Sequence, residues 1–323
     1  YILQDNKNMI AAGKYFNPLP ALYLFPRGDD FDNVRLYQRW DESRNLYTQA
    51  WDYGSGDMSF QNPYWIMNKM INQTKKRRYM LSANLKYDVT DWLDVTGRVK
   101  VDNADMDITE KRYAGTDTNF AGEKGMYSII KRNDRQIYAD AIANIDLTFA
   151  GDYHLSANVG ASLKDVRMDF MGWGGDLRKI PNFFSITNIS TTNYKEREDG
   201  SHIQSQSIFA NVELAWKSML YLTVTGRNDW ESALAFSKYK SFFYPSVGLS
   251  AVVSEMVDMP EWFSFLKVRG SYSAVGSSYA AYLTKPYYDY KGQTHEWDSL
   301  HRFPNENLKP EKTKSWEVGL NAR

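Results

Sequence analysis

Cysteine is absent from the 323 residues. That excludes disulfides, thiolate catalysis and cysteine-ligated metals, while leaving the compartment open. Net charge is absent too, since 39 basic side chains balance 39 acidic ones, so no global field draws the chain to nucleic acid. No apolar run approaches the roughly 18 residues that a spanning helix needs, and any passage through a bilayer must therefore use strands. Histidine is scarce: His154, His202, His295 and His301 contain no HxxxH spacing. Asp102, Asp105 and Asp107 lack the glycine and distal glutamate of a calcium loop, and Gly172-Trp173-Gly174-Gly175 does not match a phosphate loop. The expectation is a protein that is not an enzyme, with no catalytic residues, no metal and no cofactor. The N-terminus, Tyr1-Ile2-Leu3-Gln4-Asp5, has neither a starting Met nor a signal peptide, which predicts that the chain begins mid-protein.

What is present is aromatic and alternating. Aromatic residues make up 15% of the chain and charged residues 24%, a mix that suits one apolar surface beside much polar surface. From Arg78 onward the pattern has period two. Tyr79, Leu81, Ala83, Leu85 and Tyr87 share one face; after a turn at Asp91-Trp92, Leu93, Val95, Gly97, Val99 and Val101 repeat it. A second pair sets Ala139, Ala141, Ala143, Ile145, Leu147 and Phe149 before a turn at Gly151, with Leu155, Ala157, Val159, Ala161 and Leu163 after it. A third places Ile208, Ala210, Val212, Leu214 and Trp216 before a turn at Ser218, and Leu220, Leu222, Val224 and Gly226 beyond it. A fourth pairs Val247, Leu249, Ala251 and Val253 with Val268, Gly270, Tyr272 and Ala274, and a last strand carries Trp316, Val318, Leu320 and Ala322. None of these apolar-face positions is charged.

Alternation alone fits a soluble sandwich as well as a membrane wall. Two features favour the wall. Tight turns near Asp91, Gly151 and Ser218 alternate with long expected loops at Asn103 to Arg135, Arg167 to Ser205 and Gly276 to Lys314, the asymmetry of outer-membrane barrels. Large aromatics also recur at strand ends, with Trp92, Tyr153, Trp216 and Trp262 on the short-turn side and Trp230 and Phe243 on the other, as two interfacial girdles would require. Arg98, Asp146, Lys164 and Glu213 fall mid-strand on the polar face, which a solvated surface would permit equally.

Several phrases on these strands resemble the SusC/RagA family of TonB-dependent transporters. They are Asn62-Pro63-Tyr64-Trp65-Ile66-Met67-Asn68-Lys69, Tyr221-Leu222-Thr223-Val224-Thr225-Gly226-Arg227-Asn228-Asp229-Trp230, Phe243-Tyr244-Pro245-Ser246-Val247 followed by Ser254-Glu255-Met256, and Phe265-Leu266-Lys267-Val268-Arg269-Gly270-Ser271-Tyr272-Ser273. Asn307-Leu308-Lys309-Pro310-Glu311-Lys312-Thr313-Lys314-Ser315-Trp316-Glu317-Val318-Gly319 is similar to a phrase of TonB-dependent receptors at large. The resemblance implies an all-β, transmembrane antiparallel barrel of 22 strands with a plug, of which this chain supplies about nine. It divides the chain into a long extracellular loop region over 1–77 and barrel wall over 78–323. It further implies import of oligosaccharides or peptides across the outer membrane of a Gram-negative bacterium, energised through TonB, with a SusD-like lipoprotein at the outer mouth. The plug and TonB box have no counterpart in these residues. Rival readings are a siderophore or vitamin receptor of the same kind, or a soluble β-rich glycan-binding module.

Candidate substrate contacts are the loop aromatics Tyr113, Trp173, Tyr194, Tyr287, Tyr288 and Trp297, because sugar C–H faces stack on rings and loops carry binding. Loop packing is the plainer reading of each. Arg227, Asp229 and Trp230, where a strand emerges at the outer rim, either line the mouth or hold the strand end as an ion pair beside a girdle Trp. Lys75-Lys76-Arg77-Arg78 either faces the phosphates of outer-membrane lipid or forms a solvated edge.

Overall fold

A computed structural model describes residues 1–7, 16–53, 61–260, 262–285, 288–291, 296–300 and 305–323. Fourteen strands occur among the described residues: β1 (Ile2–Lys7), β2 (Gln38–Asp41), β3 (Leu46–Gln49), β4 (Met70–Thr90), β5 (Leu93–Tyr113), β6 (Gly125–Phe149), β7 (Tyr153–Leu177), β8 (Ile189–Trp216), β9 (Leu220–Glu231), β10 (Ser241–Val252), β11 (Leu266–Ser277), β12 (Tyr288–Lys291), β13 (Glu296–Leu300) and β14 (Glu311–Ala322). Three short helices, α1 (Pro18–Tyr23), α2 (Asp32–Arg35) and α3 (Pro63–Lys69), lie in the N-terminal part. Ten strands form one sheet in the order β1-β4-β5-β6-β7-β8-β9-β10-β11-β14, while β2–β3 and β12–β13 are separate hairpins. The nine alternating segments found in the sequence are β4 to β11 and β14; β1, paired antiparallel to β4 from Ile2 opposite Arg78 to Lys7 opposite Gln73, is the addition.

The tight connections have the backbone that tight hairpins demand. Ala150 and Gly151 take φ of 50° and 73°, and Lys217 and Ser218 take 50° and 56°, the consecutive left-handed pair whose twist matches the flanking strands. Two residues, Asp91-Trp92, suffice between β4 and β5.

The apolar face predicted from alternation is the exposed face. Leu81 is 65% exposed, Leu85 75%, Ile208 57%, Leu249 51% and Val318 72%, with Val99, Val159, Leu163, Leu222, Val224, Val247, Val268, Tyr272, Trp316 and Leu320 exposed as well. Register aligns these side chains into rows: Val224 stands opposite Val212 and Val247, Leu222 opposite Leu214 and Leu249, and Tyr272 opposite Val247 and Trp316. A sandwich would lay a second sheet on this surface. Among the described residues the only other sheets are the two small hairpins, so the alternation belongs to a wall whose apolar side needs a solvent other than water.

Strand length corrects two of the expected loops. β9, β10, β11 and β14 have 12 residues each, close to the roughly 9–11 that cross a bilayer core. β4 and β5 have 21, β6 and β7 have 25 and β8 has 28. The expected loops Asn103 to Arg135 and Arg167 to Ser205 are therefore mostly strand, and the actual connections shrink to 114–124 and 178–188. Beyond the bilayer neither face of a strand must be apolar, so Asp102-Asn103-Ala104-Asp105-Met106-Asp107 carries none of the contrast that reveals a strand. The strand placed from Arg78 likewise starts at Met70. The third expected loop, Gly276 to Lys314, begins after Ser277, ends before Glu311 and contains β12 and β13.

The chain divides into two compact units, one of residues 1–79, 103–134 and 168–200, the other of 80–102, 135–167 and 201–323. Placement of side chains by face gives a first test. Val224→Lys, on the exposed apolar row, is expected to cost about 2–4 kcal/mol, read as a lowered urea midpoint of the refolded protein in detergent. Thr223→Lys, one residue away beside Glu213, should leave that midpoint within about 0.5 kcal/mol.

Candidate functional site

Alternation sends every second side chain to the face opposite the apolar rows, and in the second unit that face is a ladder of paired polar groups. Arg98 on β5 reaches across to Asp140 on β6 in a bidentate contact, Nε to Oδ1 at 2.9 Å and Nη2 to Oδ2 at 2.7 Å. Asp140 is buried, with 7% of its surface exposed. Nearer the short turns, Asn144 donates to Asp94 at 2.6 Å and accepts from Asn158 at 2.7 Å, while Lys86 pairs with Asp94 at 3.3 Å. Further along the sheet, Thr223 donates to Glu213 at 3.2 Å and Arg269 to Glu317 at 3.3 Å.

A second arginine–aspartate group sits where β8, β9 and β10 run together. Arg227 donates from Nε to Asp229 Oδ1 at 2.7 Å and from Nη2 to Ser207 Oγ at 2.8 Å. The Tyr244 hydroxyl donates to the other carboxylate oxygen of Asp229. The Arg227 guanidinium also lies 5.6 Å from the centre of the Phe209 ring. Register explains the meeting, since Arg227 stands opposite both Phe209 and Tyr244, and Asp229 opposite Ser207. Charge-assisted contacts of this kind are the strong ones.

The first unit is organised around Asn62. Its backbone N–H donates to Gln49 Oε1 at 2.6 Å, its Oδ1 caps α3 by accepting from the Tyr64 N–H at 2.9 Å, and its Nδ2 donates to the carbonyls of Val34 and Ala50 at 2.9 and 3.0 Å. Trp65, fully buried, donates from Nε1 to Thr116 Oγ1 at 3.0 Å and packs with Ile66 and Met70 against Phe16, Tyr37 and Tyr113. The β2–β3 hairpin presses on Gly115, whose φ is +96° and where an added Cβ would stand 2.7 Å from Thr48 Cα. Arg44 at the hairpin tip donates to the carbonyl of Glu123. Arg112 donates to the Phe120 carbonyl at 2.7 Å with its guanidinium 4.7 Å from the Phe16 ring centre, and burial lowers its pKa.

Comparison with known proteins fits this geometry. The family described as TonB dependent receptor-like, beta-barrel, matches residues 20–322. The chain belongs to that family. It is 25% identical over 297 residues to TonB-dependent receptor P26 of Formosa agariphila, covering 86% of this chain and 29% of that protein. Its fold matches the RagAB peptide transporter with a TM-score of 0.70 at 17% identity, covering 84% of this chain and 31% of that one. For the RagAB peptide importer in the open-open state the TM-score is 0.71, with 84% and 30% covered. The chain thus spans about a third of the length of these relatives, and the RagAB fold agrees with the SusC/RagA phrases in the sequence.

Within this TonB-dependent receptor wall the residues singled out from sequence do not converge. Arg227 and Asp229 are one ion pair on the polar face. Trp230, 42% exposed, belongs to the opposite face with Leu222 and Val224. Tyr113 packs against the α3 core, with Lys69 Nζ 4.8 Å from its ring centre and Phe184 meeting it edge to face at 4.9 Å. Trp173 is half-buried within β7, not in a loop. Tyr194 falls in β8 and Trp297 in β13, but their side chains lie outside the description, as does Tyr287 altogether; Tyr288 opens β12 and is exposed. In the basic run, Arg77 pairs with Asp107 at 3.1 Å.

Sequence reasoning missed two features. Tyr244 stood in a recognised phrase but was not connected with Asp229, because only the β9–β10 register brings them together. Trp40 and Tyr47, exposed and edge to face at 5.1 Å on the β2–β3 hairpin, lie in a stretch without long alternation; the Trp-Asp-Glu-Ser-Arg-Asn-Leu-Tyr spacing around a turn was the available signal. Asn62→Ala is expected to strand the Val34 and Ala50 carbonyls at about 1–3 kcal/mol. Limited proteolysis should then cut within residues 16–53 at lower protease concentration than in the parent protein.

Proposed function

We propose that this chain is part of the wall of an outer-membrane importer of a Gram-negative bacterium, one that takes up oligosaccharides or peptides by TonB-coupled transport beneath a SusD-like lipoprotein. The observation that carries the reading is the two-sidedness of the sheet. One face presents Leu81, Leu85, Ile208, Leu249 and Val318 uncovered, and the other presents charges already paired, such as Arg98 with Asp140 and Arg227 with Asp229. Hydrocarbon suits the first face and a hydrated lumen the second. Membership of a family of TonB-dependent receptors supports the energy source, and the likeness in fold to the RagAB peptide transporter supports the cargo class.

In this reading residues 1–77 belong to the outer side and 78–323 to the wall. Substrate meets loops and lumen, with Tyr113, Trp173, Tyr194, Arg227, Asp229 and Trp297 as the contacts proposed, while Trp230, on the apolar face, serves as a girdle residue, and no covalent chemistry occurs. Of the run Lys75-Lys76-Arg77-Arg78, Lys75 and Arg77 share the face of Tyr79 and Leu81 on β4 and are the cations that face lipid phosphate, which basic segments attract.

The test is uptake in cells. Deleting the gene that carries this chain should abolish accumulation of a labelled oligosaccharide or peptide, the intact gene should restore it, and removal of TonB should abolish it again. Uptake that survives loss of TonB, or that is indifferent to the gene, would sink the proposal.

A further inference from the structure

The outer loops of the second unit are stapled together. Ser237, between β9 and β10, is buried and donates to the Leu308 carbonyl at 2.7 Å, while the Lys238 backbone N–H donates to the Glu306 carbonyl at 2.8 Å. Thr284, after β11, is buried too and donates to the Ala233 carbonyl at 3.0 Å. The segments 232–240, 278–285 and 305–309 therefore form one fixed platform instead of three independent loops.

That platform carries lysines without carboxylate partners. Lys238 Nζ meets only the neutral Asn307 Oδ1, at 3.0 Å. Lys285 Nζ lies 5.8 Å from the Phe236 ring centre and Lys309 Nζ 5.1 Å from that of Tyr239. Among the described residues none of the three makes an ion pair, although Glu306 and Glu311 are exposed nearby in sequence. Lys240 adds a fourth exposed ammonium group. Phe236 and Tyr239 are 55% and 40% exposed, but each offers a face to a lysine, so the rings hold cations in place and have less face left for a sugar to stack on.

We infer that this stapled platform is a recognition surface for acidic peptide, with Lys238, Lys285 and Lys309 taking side-chain carboxylates of the cargo. The inference rests on the import reading above and narrows its cargo. Fixed cations that need no rearrangement on binding favour an anionic partner over a neutral one.

The test uses the full-length receptor in detergent, titrated with a glutamate-rich peptide, the same peptide with glutamine in place of glutamate, and oligogalacturonate. The glutamate peptide should bind at least about tenfold more tightly than the glutamine peptide, with the difference shrinking at high salt. A triple variant Lys238→Gln, Lys285→Gln, Lys309→Gln should lose that preference, and the matching triple arginine variant should keep it, which separates charge from folding. Equal binding of both peptides by the parent, an unchanged preference in the glutamine variant, or preferential binding of oligogalacturonate overturns the inference. Each of these leaves import of some other cargo standing, because TonB-dependent uptake is measured separately.

Discussion

The hydrogen-bond ladder between neighbouring strands is the constraint from which the rest follows. A bilayer offers no partner for a backbone N–H or C=O, so every such group on the wall must be met by the next strand. That fixes the register of long pairings such as Ser205–Trp216 with Leu220–Glu231, and register in turn decides which face each side chain occupies. A slip of β9 by one residue would bring Thr223, Arg227 and Asp229 to the apolar side together and turn Val224 away from it. The apolar rows and the paired polar ladder are thus two consequences of one alignment. The tight turns at Ala150-Gly151 and Lys217-Ser218 set it locally, through two consecutive residues of left-handed backbone.

Where lipid ends, the constraint relaxes, and so does the legibility of the chain. Strand existence was readable wherever hydrocarbon forces contrast: Leu81, Leu85, Val95 and Val99 announce β4 and β5 without any structure. Past Asp102 the same strand continues through Asn103, Asp105, Asp107 and Glu110 with both faces in a polar setting, and no periodicity marks it. Composition there looks like a loop because the physics that excludes polar residues from one face is missing. Hence the loops read too long, and β4 to β8 too short, although the nine alternating segments are all present in the expected order, with β1 added at the edge.

The candidate site was legible as a set of words and illegible as a set of contacts. Asn62-Pro63-Tyr64-Trp65 was recognisable, yet nothing in it tells that Asn62 holds the carbonyls of Val34 and Ala50, since a main-chain acceptor leaves no mark on residue identity. Arg227 and Asp229, two apart on one strand face, were readable as an ion pair. Their third and fourth members, Tyr244 and Ser207, come from strands whose register is a tertiary fact.

The distribution of paired and unpaired charge also assigns labour within the wall. A lumen lined with bare charges would hold an oppositely charged solute along its length and slow its release. Here Asp140 and Asp229 are both buried and both matched by arginine. Buried charges of this sort contribute alignment more than net stability, because desolvation offsets most of their attraction. Lys238, Lys285 and Lys309 stand under the opposite regime, exposed to water, cheap to leave unpaired and fixed by a staple of buried serine and threonine hydroxyls. A substitution on the polar face therefore acts first on the alignment of the strands, whereas one on the platform acts on charge that stands open to water.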